Sequence, residues 1–107
     1  MKKLTFVIFF LIFSAAVSYS QTFDGDYMLG DFKVTISHDE QFYYVTYSTD
    51  NVKRILQYEE NTPANEQIWL EWVNAKQTGT YVIKQDYSSG IYTDYRTQQE
   101  SYFKKIY

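Results

Sequence analysis

Beyond residue 20 the chain reads as short runs in which apolar side chains fall at every second position, separated by turn-forming residues. That alternation is the period of a β-strand with one buried face, and a spacing of about ten residues between turns is the rhythm of an antiparallel all-β domain. The first run, Phe23 to Leu29, is broken by Asp24-Gly25-Asp26 and closed by Gly30-Asp31. Phe32 to Ser37 follows, with Phe32, Val34 and Ile36 opposing Lys33, Thr35 and Ser37, before a polar turn at His38-Asp39-Glu40-Gln41. Phe42 to Tyr47 is the strongest strand, being made of aromatic and β-branched residues.

Ser48 to Asn51 predicts a hairpin turn into Val52–Tyr58, and Glu59 to Asn65 predicts the longest loop, because Pro63 is excluded from a central strand. Ile68, Leu70 and Trp72 alternate with Trp69, Glu71 and Val73. Asn74 to Gly79 reads as a turn or a single helical turn, and Tyr81–Lys84 as a strand closed by Ser88-Ser89-Gly90. Ile91–Tyr95 and Ser101–Ile106 form the last pair. Seven or eight short strands joined by successive hairpins predict a meander that forms a small barrel or a barrel-like sandwich.

The segment before these runs has a different character. Met1-Lys2-Lys3 is a basic start, Leu4 to Val17 is an apolar run interrupted only by Thr5 and Ser14, and small residues lie at Ser18 and Ser20. This is the pattern of a cleavable signal peptide, residues 1–20, and the apolar run is short for a membrane span. The expected product is a single domain, residues 21–107, exported by a bacterial cell to the periplasm or the medium. Its strands are short and charged for a transmembrane barrel.

Charge narrows the partners. The chain has 10 basic and 13 acidic residues, and loss of Lys2 and Lys3 moves the net charge from −3 to −5. An acidic domain without a basic stripe is not built to bind nucleic acid, where phosphate contacts dominate affinity. With no cysteine there is no disulfide, thiolate metal site or cysteine nucleophile. Leu, Ile, Val and Phe supply 18 of the 87 residues after position 20, close to the level of about one fifth at which chains tend to stay disordered. Eleven tyrosines and two tryptophans in the same stretch supply the missing apolar area, so the core is expected to be built from rings as much as from aliphatics. A homodimer would supplement so small a core.

Phe23-Asp24-Gly25-Asp26-Tyr27, the run of hairpins, and Gly79-Thr80-Tyr81-Val82-Ile83 with Asp86 and Ser89-Gly90-Ile91-Tyr92 resemble small secreted lipocalin-like (calycin-type) proteins. There an early Gly-x-Trp/Tyr leads a meander that closes a barrel, and Tyr27 stands where the family usually has Trp. The resemblance implies a fold more than an activity. The chain is shorter than a typical lipocalin, and an eight-stranded barrel is just wide enough for its own side chains. A filled interior is therefore expected.

Candidate chemistry is sparse. His38 beside Asp39 and Glu40 places an imidazole near two carboxylates, but neighbours on a strand or turn diverge, and a single histidine does not make a protein-built zinc site. Asp24, Asp26 and Asp31 lack the spacing of a calcium loop and read as turn residues. No Gly-x-Ser-x-Gly elbow is present. The expectation is a protein that is not an enzyme, with no metal and no cofactor. Aromatic residues on both faces of the strands instead point to binding, with Trp69 as the first candidate, Tyr44 as the second, and Trp72 and Tyr92 beside them. The ligand is expected to be a small apolar or sugar-like molecule. The alternative is a structural or inhibitory domain that docks on an envelope protein partner.

Overall fold

The computed structural model describes residues 22–107, so the expected signal peptide lies outside the described residues. Eight strands follow one another: β1 (Gly25–Leu29), β2 (Phe32–His38), β3 (Tyr43–Tyr47), β4 (Lys53–Asn61), β5 (Gln67–Val73), β6 (Lys76–Ile83), β7 (Ser89–Asp94) and β8 (Glu100–Lys105). Each pairs antiparallel with the next. β8 returns to β1 through Tyr27↔Lys105, Met28↔Lys104 and Leu29↔Phe103, which closes the barrel and excludes the sandwich.

Two boundaries differ most from the sequence expectation. β4 continues through Glu59, Glu60 and Asn61, with a register shift between Tyr58 and Glu60, so the loop before β5 is shorter than expected. A bulge lets this polar stretch stay paired at the rim while the strand bends. β6 begins at Lys76, and the expected long turn shrinks to Asn74-Ala75, both at positive φ (51° and 64°). Two consecutive left-handed residues make the tight hairpin whose twist matches that of the flanking strands.

Aspartates pin several other turns. Asp39 accepts the amides of Gln41 and Phe42, Asp50 that of Val52, Asp86 that of Ser88, and Asp94 those of Arg96 and Thr97. These side chains mimic a backbone turn, which explains the abundance of aspartate between the strands.

The interior is filled by rings. Tyr27 stacks on Phe103 at 4.3 Å, Tyr81 meets Phe103 edge-on at 5.1 Å, and Tyr92 packs on Tyr81 at 4.7 Å. Aromatic pairs of this kind contribute about 0.5–1.5 kcal/mol each beyond their buried area. Leu29, Val34, Ile36, Val45, Leu56 and Ile83 supply the aliphatic part of the core.

One end of the barrel is plugged. Phe23, just before β1, inserts among Tyr43, Trp69 and Tyr87 with centroids 5.2, 4.9 and 4.7 Å away, and its carbonyl accepts the Tyr27 hydroxyl at 2.6 Å. Beside this plug, His38 Nδ1 lies 2.7 Å from Asp24 Oδ2. The opposite end, where β3, β5 and β7 finish and β4 and β6 begin, is open.

The orientation of β5 runs against its hydrophobic pattern. Gln67, Trp69 and Glu71 point inward and are buried, whereas Ile68, Leu70 and Trp72 lie on the outer surface and are half-buried. The three-residue apolar face therefore points outward, and the face that carries an acid forms part of the core.

Candidate functional site

The inward face of β5 delivers Glu71 to the floor of the open end with 1 % exposure. A buried carboxylate needs hydrogen-bond donors at both oxygens. Neighbouring strands supply them. Tyr47 from β3 and Tyr81 from β6 donate to Oε2 at 2.7 and 2.9 Å, while Thr78 from β6 and Tyr92 from β7 meet Oε1 at 2.7 and 3.1 Å. Tyr92 also lies 3.2 Å from the Thr78 carbonyl. Burial first, and then the Glu71 charge, hold the phenols of Tyr47, Tyr81 and Tyr92 well above the usual tyrosine range, so all three keep their protons.

Gly79 makes this packing possible. A Cβ at that position would fall 2.2 Å from Tyr92 Cε1 and 2.3 Å from its hydroxyl. The Tyr92 ring occupies the space that any side chain at 79 would take.

Above this floor opens a cup of about 420 Å³, within the usual range for ligand pockets. Its wall includes Tyr47, Arg54, Val73, Tyr92 and Tyr95, and its rim carries Lys76, Asp94 and Arg96. Arg54 lies over the Tyr47 ring, with its guanidinium carbon 3.6 Å from the centroid, and donates to both carboxylate oxygens of Asp50 at 3.2 and 2.9 Å. Asp94 is committed to the amides of its own turn, and that of Thr97 leads in holding its carboxyl below the usual range. Among the described residues, Lys76 and Arg96 join no ion pair.

The four residues singled out from sequence lie in three different places. Tyr92 forms part of the cup floor. Trp69 is at the plugged end, 7 % exposed, its indole N–H donating to Gln67 at 3.0 Å and its ring against Phe23, Tyr43 and Tyr58. It is therefore interior rather than displayed, as the reversed orientation of β5 requires. Trp72 and Tyr44 are on the outer surface, in register with Ile55 between them. Trp72 donates to Gln57 at 3.1 Å, and Tyr44 donates to Asp39 at 2.7 Å beneath Lys53.

Glu71, Tyr47, Thr78, Arg54 and Arg96 carry no sequence motif. The available signal is a single acid between two tryptophans in a strand, on the same pleat as Trp69. Asp24 and Asp26 have separate partners: His38 for the first, and the Thr35 hydroxyl at 2.8 Å for the second. No group of three or more metal-ligating side chains is assembled among the described residues.

Comparison of the chain with protein-family models, curated proteins and solved structures finds no match. The closed eight-stranded meander agrees with the architecture that the lipocalin-like resemblance implies, and the agreement is one of architecture.

Proposed function

We propose that this protein is a non-catalytic binding module that receives a small polar molecule, one bearing hydroxyl or amine groups, in the open end of its barrel. The cup carries this reading. It combines a rigid floor fixed by hydrogen bonds to a buried carboxylate, tyrosine rings on the wall, and charged side chains around the entrance. Such a surface is pre-organised, which lowers the ordering cost of binding. Its polarity favours the sugar-like end of the sequence expectation over the apolar end. The export-signal pattern read in residues 1–20 supports a site of action outside the cytoplasm.

Native mass spectrometry on protein recovered from its own host tests the proposal. A non-covalent small-molecule adduct is expected, and Val73→Trp, which adds bulk to the cup wall, should expel it. A bare mass, or an adduct indifferent to Val73→Trp, would overturn the proposal.

A second reading, docking on an envelope protein, draws on the outer surface. Ile68, Val82, Ile91 and Tyr102 form one apolar row across β5 to β8, and Tyr102 is 74 % exposed. Phe42, Ile55 and Trp72 line a shallow groove of about 310 Å³ around the β5–β6 turn. Recovery from the host as a defined heteromeric complex that Tyr102→Ser disrupts would favour this reading over the first.

A further inference from the structure

The hydrogen-bond polarity of the cup specifies its ligand more narrowly than its size does. Every hydroxyl on the floor has its proton directed at Glu71 or, for Tyr92, shared with the Thr78 carbonyl. A phenol has one proton to give and lone pairs that remain able to accept. The floor therefore offers a ligand acceptors and negative charge, and no free donor. A molecule reaching Tyr47 and Tyr92 must bring its own donors.

The rim has the opposite polarity. Lys76 and Arg96 are donors only, and neither is in an ion pair among the described residues. Arg54, the other cation of the wall, is paired with Asp50, and Asp94 keeps its charge while its Oδ1 accepts the amides of its own turn. A protein of net charge −3 presents two cations outside any ion pair among the described residues, with the one carboxylate of Asp94 on the same rim, at the entrance to a cup whose floor holds Glu71. The hydrogen bonds that Glu71 accepts all come from neutral hydroxyls, so its charge attracts a cation brought above the floor, and a guanidinium at the entrance suits a carboxylate.

We infer that the cup takes a zwitterion, with its ammonium directed down to Glu71, Tyr47 and Tyr92 and its carboxylate held at the rim by Arg96 and Lys76. The ligand class is that of amino acids and amino-acid-like small molecules. The inference rests on the cup being a binding site and adds the direction in which the ligand lies.

The test is an amide chemical-shift titration of the full domain with four probes: 5-aminopentanoate, pentanoate, pentylamine and glucose. The zwitterion is expected to shift amides around Glu71, Thr78, Tyr92 and Arg96 and to bind at least about tenfold more tightly than either half-molecule. Arg96→Gln should weaken 5-aminopentanoate without weakening pentylamine, whose ammonium gains from the loss of a like charge at the rim. Tyr92→Phe should weaken 5-aminopentanoate and pentylamine alike, and a dispersed spectrum shows that each variant is folded. Pentanoate or glucose binding as tightly as the zwitterion would overturn the inference while leaving the cup a binding site. No shift at the cup with any probe would also overturn it, and the adduct experiment then decides separately whether the cup binds anything.

Discussion

A carboxylate with 1 % exposure must be satisfied within the protein, and Glu71 is satisfied by four hydroxyls from three strands. Those hydroxyls depend on it in turn. Glu71→Leu preserves apolar volume but strands several buried donors, so a loss of about 3 kcal/mol is expected, since each unsatisfied buried group costs about 1–3 kcal/mol. Glu71→Gln retains a carbonyl acceptor and is expected to lose about 1–2 kcal/mol, the difference made by a charged acceptor. Urea denaturation reads both as a lower midpoint at unchanged slope. The opposite order of the two variants would show that the tyrosines do not rely on the carboxylate. The aromatic surplus in the sequence pointed to a ring-built core, and Tyr27, Tyr81 and Phe103 bear this out with 0 % exposure each. Glu71 was hidden because inward orientation of an acid is decided by partners on β3, β6 and β7, and no local pattern reports them.

The hairpins carry their own chemistry. Asn74-Ala75 joins β5 to β6 with Ala75 at φ 64°, a conformation that strains any residue with a Cβ. Ala75→Gly is expected to stabilise the barrel by about 0.5–1 kcal/mol, seen as a higher urea midpoint, because Asn-Gly suits this turn type. The aspartate-pinned turns predict a response to acid. Hydrogen bonds from the Phe42 amide, and then from Tyr44 and Gln41, lower the Asp39 carboxyl to about 2, and hydrogen bonds from Arg54, and then from the Val52 amide, lower Asp50 to about 2. A carboxyl that titrates lower when folded stabilises the fold above its unfolded value of about 3.9, and that contribution disappears as pH falls through the folded value. The urea midpoint should therefore be flat from neutral pH to about 4 and fall between about 4 and 2. Asp50→Asn should make that fall shallower. Most turns were readable in the sequence because aspartate, asparagine and glycine mark them locally. The outward apolar face of β5 was not, since alternation gives two faces and does not say which is the core when both carry rings.

Closure joins the two ends of the described chain. The β1–β8 ladder has three paired residues, the β5–β6 ladder seven, although Gly30 N–H to Tyr102 and Ile106 N–H to Asp26 extend the former. Amides of the β1–β8 ladder are expected to exchange with solvent faster than those of β5 and β6, because opening there breaks the fewest hydrogen bonds. Hydrogen-exchange rates measured strand by strand check this, and uniform protection around the barrel would contradict it. The hairpin rhythm announced a meander, but a barrel and a sandwich share that rhythm. They differ only in whether the first strand meets the last, and those segments interact through residues far apart in the chain.

That seam also sets the order of events in folding. Seven of the eight ladders link consecutive strands and can form by zipping outward from a short turn. The eighth must close a loop spanning nearly the whole domain before its first contact forms. The stacked Tyr27–Phe103 pair spans this seam, so the rings that fill the middle of the barrel are also its latch. A curled ribbon of hairpins should accumulate quickly and wait for that pair. Replacing either ring should slow ring closure itself, so the core of this protein is expected to govern the speed of folding as well as its equilibrium.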